Sequence, residues 1–145
     1  MIELRFKSGD LTPDEQQVIG AGFARHTEER SAPSFKKERV NWLAFDGDEA
    51  LVGGLTADVL WDWIYIDALW VSEKLRGEGL GKKLMKEAES YASSRALTGI
   101  WLWTQSWQAA DFYQHIGFVE FARFPDFPKG YFRIGFRKQL AFDTT

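Results

Sequence analysis

The chain reads as a mixed α/β domain, a mostly antiparallel sheet of six to seven strands flanked by helices. Three observations predict it. Short apolar runs with period-two alternation recur along the chain. Two pairs of these runs meet across turn sequences, "GDE" at 47–49 and "PDFPKG" at 125–130. Between the pairs, "WIYIDALWV" at 63–71 passes through a glycine-rich segment into a run of helical spacing, which sets a strand, helix, strand unit in the middle of the sheet.

Taken in order, Ile2 to Phe6 alternates apolar and polar and is expected to be a first strand. "TPDEQQVIGAGFARHTEER" puts Thr12 before Pro13, acids in the first turn, and Val18, Ile19, Gly22 and Phe23 on one face, a helix ending near Arg30. "SAPSFKKE" is a loop or short helix. "VNWLAFD" and "ALVGGLTADVL" form a hairpin, and "WDW" turns the chain into "IYIDALWV", giving a three-stranded meander. Leu80, Leu84, Met85, Ala88, Tyr91 and Ala92 recur at helical spacing, so a helix begins among the glycines and runs to about Ser94. "GIWLWT" is a further strand, "WQAADFYQHIG" a short helix stopped by Gly117, and "FVEFARF" with "YFRIGFRKQL" a closing hairpin.

Composition bounds the function. At 145 residues the chain, 1–145, has the size of a single domain. With 45% hydrophobic and 27% charged residues it has a globular balance, and a net charge of −3 offers no general attraction to nucleic acid or an anionic membrane. Arg76, Lys82, Lys83 and Lys86 cluster, so an anion would be met at one place. There is no Cys, hence no disulfide framework, thiolate metal site or cysteine nucleophile, and the two His are far apart, so no metal is expected. No run reaches the length of a membrane span, which makes the cytoplasm the expected location. Aromatics are abundant, with seven Trp, and Trp61, Trp63, Trp70, Trp101 and Trp103 fall on strands or their turns.

"LRGEGLGKK" at 75–83 carries the chemistry. Glycine permits positive φ and removes the Cβ that would block an approaching ligand, while a helix N-terminus offers unpaired N–H donors and a favourable dipole. A phosphate is the natural guest. A P-loop does not fit, because Arg76 stands where its first glycine belongs and Lys83 where its hydroxyl belongs. A dinucleotide fingerprint fails as well, since Lys82 occupies its third glycine position.

What fits is Arg76-Gly77-Glu78-Gly79-Leu80-Gly81, which resembles the R/Q-x-x-G-x-G/A signature of the GNAT superfamily of acetyl-CoA-dependent N-acyltransferases. The context strengthens the match: "IDALWVSEKLRGEGLGKKLMKEA" is similar to that family's fourth strand, loop and helix, and "QAADFYQHIGF" to its A-x-x-F-Y-x-x-x-G-F helix and turn. The resemblance implies splayed fourth and fifth strands, with the pantetheine arm of the cosubstrate acetyl-CoA lying between them like an added strand. It assigns that arm to Leu69, Trp70 and Val71, with backbone contacts at Leu69 and Val71, and the pyrophosphate to the amides of Arg76, Gly77, Gly79 and Gly81, with Lys82 adding charge nearby and Leu80 and Phe112 among the cofactor contacts. Tyr113 falls at the family's tyrosine, the proton donor to the departing thiolate. Where many relatives carry a cofactor-contacting Asn, this chain has Ser106, with Gln108 closer to the helix, and either can supply a hydrogen bond. Asp67, where some relatives carry an acid, is a general base or a structural carboxylate.

The expected activity is therefore direct acetyl transfer to a primary amine of a small molecule in a ternary complex, and Trp61, Asp62 and Trp63 offer one place for an amine cation. Acetylation of a protein or other macromolecular amine, or acyl-CoA binding without turnover, are the alternatives. A homodimer through "YFRIGF" is an option that the family makes familiar.

Overall fold

A computed structural model describes residues 1–140. The chain divides into two compact units, residues 1–35 and the remainder from Lys36. In the first unit, helix α1 (Pro13–Glu29) starts on a capping box, in which the Glu15 N–H donates to Thr12 Oγ1 at 3.1 Å and the Thr12 N–H to Glu15 Oε1 at 2.7 Å. Residues 2–6 are not a strand. Their alternation is five residues long, and such a signal becomes a strand only where a neighbour completes its ladder.

The second unit carries β1 (Lys37–Phe45), β2 (Leu51–Leu60), β3 (Trp63–Val71), a 3-10 turn at Glu73–Leu75, α2 (Leu80–Ser94), β4 (Gly99–Gln105), α3 (Ala110–His115), β5 (Val119–Pro125) and β6 (Phe132–Gln139). Among the described residues the sheet has six strands in the order β1-β2-β3-β4-β6-β5. Every pairing is antiparallel except β3 with β4. With residues 2–6 outside the sheet, the strands expected as fourth and fifth are β3 and β4.

Alternation assigns the faces. Leu55, Ala57, Ile64, Ile66, Ile100, Leu102, Ile134 and Phe136 point to one side and meet Leu84, Met85, Ala88 and Ala92 of α2 in the core. Burying each large aliphatic or aromatic side chain contributes about 1.5–3 kcal/mol. The helix ends in a Schellman motif: the Leu97 N–H donates to Ala92 O at 2.9 Å and the Ala96 N–H to Ser93 O at 3.2 Å, with Ala96 at φ 55°. No described helix is long and apolar enough to cross a membrane.

Gly99 opens β4 where the backbone of β6 and the Trp63 ring press closest. A Cβ there would run into the Lys138 carbonyl oxygen and stand 2.7 Å from Trp63 Cζ3. Gly99→Ala is expected to destabilise the protein by about 1–3 kcal/mol, the usual cost of overpacking, read as a lower denaturation midpoint with unchanged m-value.

Candidate active site

The site begins where β3 and β4 stop pairing. Their ladder runs over four pairs, from Trp63↔Gly99 to Ile66↔Leu102. One residue further, β3 has a bulge: Ala57 faces Ile66 and Thr56 faces Ala68, which leaves Asp67 with no residue opposite. A bulge bends and twists its strand. Beyond it, β3 continues on β2 and β4 continues on β6, so the two strands no longer satisfy one another.

A cavity of about 1170 Å³ fills the parting. It runs along Leu69, Trp70 and Val71 of β3, past Arg76, Gly77, Gly79, Leu80, Gly81 and Lys82, and reaches Gln108, Phe112 and Tyr113 around α3. Asp67 and Trp103 line it too, each one residue past the last β3/β4 pair. Apolar walls with a few polar groups and this volume suit a ligand larger than a metabolite fragment.

At one end lies the glycine turn. Gly77 has φ 84° and Gly79, the N-cap of α2, has φ 83°, both in the left-handed region that glycine enters without a Cβ penalty. The first bond of α2 is Lys83 N–H to Gly79 O at 3.0 Å, no side chain caps the helix, and its first turn has no acid. The amides of Leu80, Gly81 and Lys82 are thus the usual unpaired donors of a helix start, suited to an anion. Gly81 answers a different need: a Cβ there would sit 3.4 Å from Phe112 Cζ. The Arg76 side chain folds back, donating from Nε to Val71 O at 3.3 Å, and braces the turn against the end of β3.

Tyr113 is held by backbone geometry. A second Schellman motif closes α3, with the Gly117 N–H donating to Gln114 O at 3.1 Å and the Phe118 N–H to Tyr113 O at 2.9 Å. Gly117 takes φ 95°. The Tyr113 ring packs between Phe112, Phe118 and Phe136 at centroid distances of 5.2, 5.7 and 5.9 Å. From β6, Lys138 Nζ donates to Ile116 O at 2.8 Å and pairs with Glu89 of α2 at 2.7 Å, pinning the end of α3 to both neighbours. Tyr113 is only 7% exposed, and burial pushes its phenol up to about 12.

Asp67 is tied sideways across the sheet. Thr56 Oγ1 donates to its Oδ1 at 2.8 Å and Arg39 Nη2 to its Oδ2 at 3.0 Å, while Arg39 Nη1 stands 3.4 Å from Asp58 Oδ1. Desolvation raises the Asp67 carboxyl, but the Arg39 guanidinium and the Thr56 hydroxyl outweigh it and hold the group below its ordinary value.

Of the two polar groups near the start of α3, Gln108 lines the cavity and Ser106 does not. Ser106 Oγ accepts from the Phe132 N–H at 3.3 Å, and Gln108 Oε1 accepts from the Gln105 N–H at 3.0 Å and the Thr104 hydroxyl at 3.3 Å. Trp61, Asp62 and Trp63 lie at the opposite end of β3 and none lines the cavity. Trp103, Thr104 and Trp107 also line the cavity; the sequence placed Trp103 on a strand without assigning it to the site, and Thr104 and Trp107 were not singled out as site residues.

The sequence model of the Acetyltransferase (GNAT) family matches residues 10–118. A blasticidin-S acetyltransferase from Streptomyces morookaense is 41% identical over 81 residues, covering 55% of this chain and 60% of that protein, so the match spans about three fifths of the relative's length. An acetyltransferase crystal structure from Bacillus cereus superposes with TM-score 0.79 at 27% identity, over 93% of this chain and 98% of that one. A Bacillus anthracis structure in complex with acetyl coenzyme A gives TM-score 0.65 at 24% identity, over 72% and 64% of the two chains, a likeness of fold.

The raised phenol has a stability consequence. An unfolded tyrosine ionises near ~10, whereas folded Tyr113 keeps its proton to about 12. The folded state therefore binds the extra proton between those values, and its contribution to stability is complete below pH ~10 and lost as pH rises through the folded value. Denaturation midpoints of the parent and Tyr113→Phe are compared from pH 9 to 12; the parent's is expected to fall relative to the variant's as pH rises, because only the parent loses this contribution.

Proposed function

Since this chain belongs to the GNAT family of acetyltransferases, we propose that it moves an acetyl group from acetyl-CoA to a primary amine of a small molecule, by direct attack with both substrates bound. The observation that carries the reading is one continuous cavity that joins a donor-lined glycine turn to the Tyr113 side chain through the gap between β3 and β4. The turn would take the pyrophosphate on the amides of Leu80, Gly81 and Lys82. The unpaired edge of β3 at Leu69 and Val71 would take the pantetheine amides, as a sheet edge takes an added strand.

Bound acetyl-CoA supplies an activated acetyl thioester. As the neutral amine nitrogen forms the C–N bond and the C–S bond breaks, Tyr113 would give its proton to the sulfur, and the proton that the nitrogen sheds would pass through water to restore the phenol. A buried phenol with a raised pKa keeps that proton until the negative charge appears. No described residue hydrogen-bonds the Tyr113 hydroxyl, and burial is the sole cause of its shift. Asp67 suits holding an ammonium more than deprotonating it, because a carboxylate held below its ordinary value gains little from a proton. The small-molecule acceptor is supported by the relative named for blasticidin S, itself a small molecule.

The test has two readouts. Thermal unfolding is followed with acetyl-CoA and with ATP; a ligand at a hundredfold excess over Kd adds about 2.7 kcal/mol, so acetyl-CoA and not ATP is expected to raise the midpoint. Thiol release with a panel of small amines is then compared between the parent and Tyr113→Phe. The variant is expected to lose about 10²-fold in kcat, the lower end for acid catalysis, with its acetyl-CoA shift intact. No shift with millimolar acetyl-CoA would sink the reading.

A further inference from the structure

We propose that the acceptor amine also carries a carboxylate, which Arg133 receives while the amine lies toward Asp67. This deepens the acetyl-transfer reading and rests on it. Arg133 is half-buried on β6, paired in register with Gln105 at the end of β4. Its guanidinium lies 4.6 Å from the Trp103 ring centroid and 5.1 Å from that of Phe127. Rings at this range fix the position of a guanidinium through its π-face, yet accept nothing from the N–H donors along its edge.

Two other arginines on the sheet have carboxylates: Arg39 has Asp67 and Asp58, and Arg123 has Glu120 at 2.8 Å; Arg137 of β6 is exposed and stacks on no described ring. Among the described residues none is paired with Arg133. A positioned cation with open donors is a receptor for an anion, and a carboxylate matches the guanidinium fork in two parallel hydrogen bonds.

Its place makes the anion a part of the acceptor. Trp103, on which Arg133 stacks, lines the cavity one residue past the end of the β3/β4 ladder. Asp67 stands at the matching position on β3. Its partners Thr56 and Arg39 alternate with the core residues Ala57 and Val40, so Asp67 faces away from the core, on the side of the sheet to which Trp103 also turns, opposite Leu102 and Thr104. Asp67 therefore lines the gap, and Arg133 stands on the same face of the sheet, against the Trp103 ring that forms part of the gap's β4 wall. β3 and β6 are two strands apart, at least roughly 10 Å and more where β3 and β4 part, so amine and carboxylate must be separated by several bonds. That is the chemistry of an ω-amino acid or a short peptide-like unit. It is not that of a polyamine.

The experiment measures acetyl transfer to matched pairs that differ in one group: 4-aminobutyrate and its amide, 6-aminohexanoate and its amide, glycylglycine and its amide. In the parent the carboxylate members are expected to have kcat/KM at least tenfold above their amides. In Arg133→Gln the ratio is expected to fall to about one, with Arg133→Lys recovering part of it and both variants keeping the acetyl-CoA thermal shift. Amides used as well as the acids overturn the proposal. So does a preference that survives Arg133→Gln, or no turnover of any acid while acetyl-CoA still binds. Should Arg133→Gln fail to fold, the parent ratio alone decides. Loss of the acetyl-CoA shift in the parent would instead bring down the acetyl-transfer reading beneath it.

Discussion

Two parallel strands that hold together for four residue pairs and then part are the constraint on which everything else in the second unit depends. Where the ladder ends, β3 and β4 each keep a partner on the outer side and lose one on the inner side. Backbone N–H and C=O groups left in an apolar cleft cost free energy until something pairs with them. The bulge at Asp67 starts the divergence, and the cross-strand ties from Thr56 and Arg39 keep the bulged residue from sliding back into register. A sheet that paired fully here would be more regular and would have no cavity.

The second requirement is that a phenol reach that cleft without wandering. A helix of six residues has little stability of its own, so α3 is fixed from outside. The Schellman turn at Gly117, the aromatic contacts of Tyr113 and the Lys138 ammonium all act on its last turn. Lys138 joins α2, α3 and β6 at a half-buried point, where an ion pair is screened less than on the open surface. The placement of the Tyr113 phenol is a property of helix termination.

Much of this was legible in the chain, for a local reason. The glycine turn, α2 and α3 are contiguous segments whose caps and periodicity are written within a few residues of one another, and they came out close to where the sequence put them. The strand expected over residues 2–6 failed because a strand is made by its neighbour, which a five-residue alternation cannot report. The same limit hid the site's lateral contacts. Arg39 meets Asp67 across 28 residues of sequence, and Arg133 meets Trp103 across a strand register that no short window contains. Ser106 and Gln108 were equivalent as hydrogen-bonding groups; only the fold shows one turned to the Phe132 backbone and the other toward the cavity.

The distribution of the cleft's walls along the chain also bears on how such a protein changes. Residues 66–83 supply one wall as an uninterrupted cassette, so an insertion or exchange there touches the turn and the β3 edge together. The opposite wall comes from a second stretch, residues 102–116, which runs from β4 through α3. The two walls are thus two separate stretches of chain, and a side-chain change on one leaves the other's backbone in place.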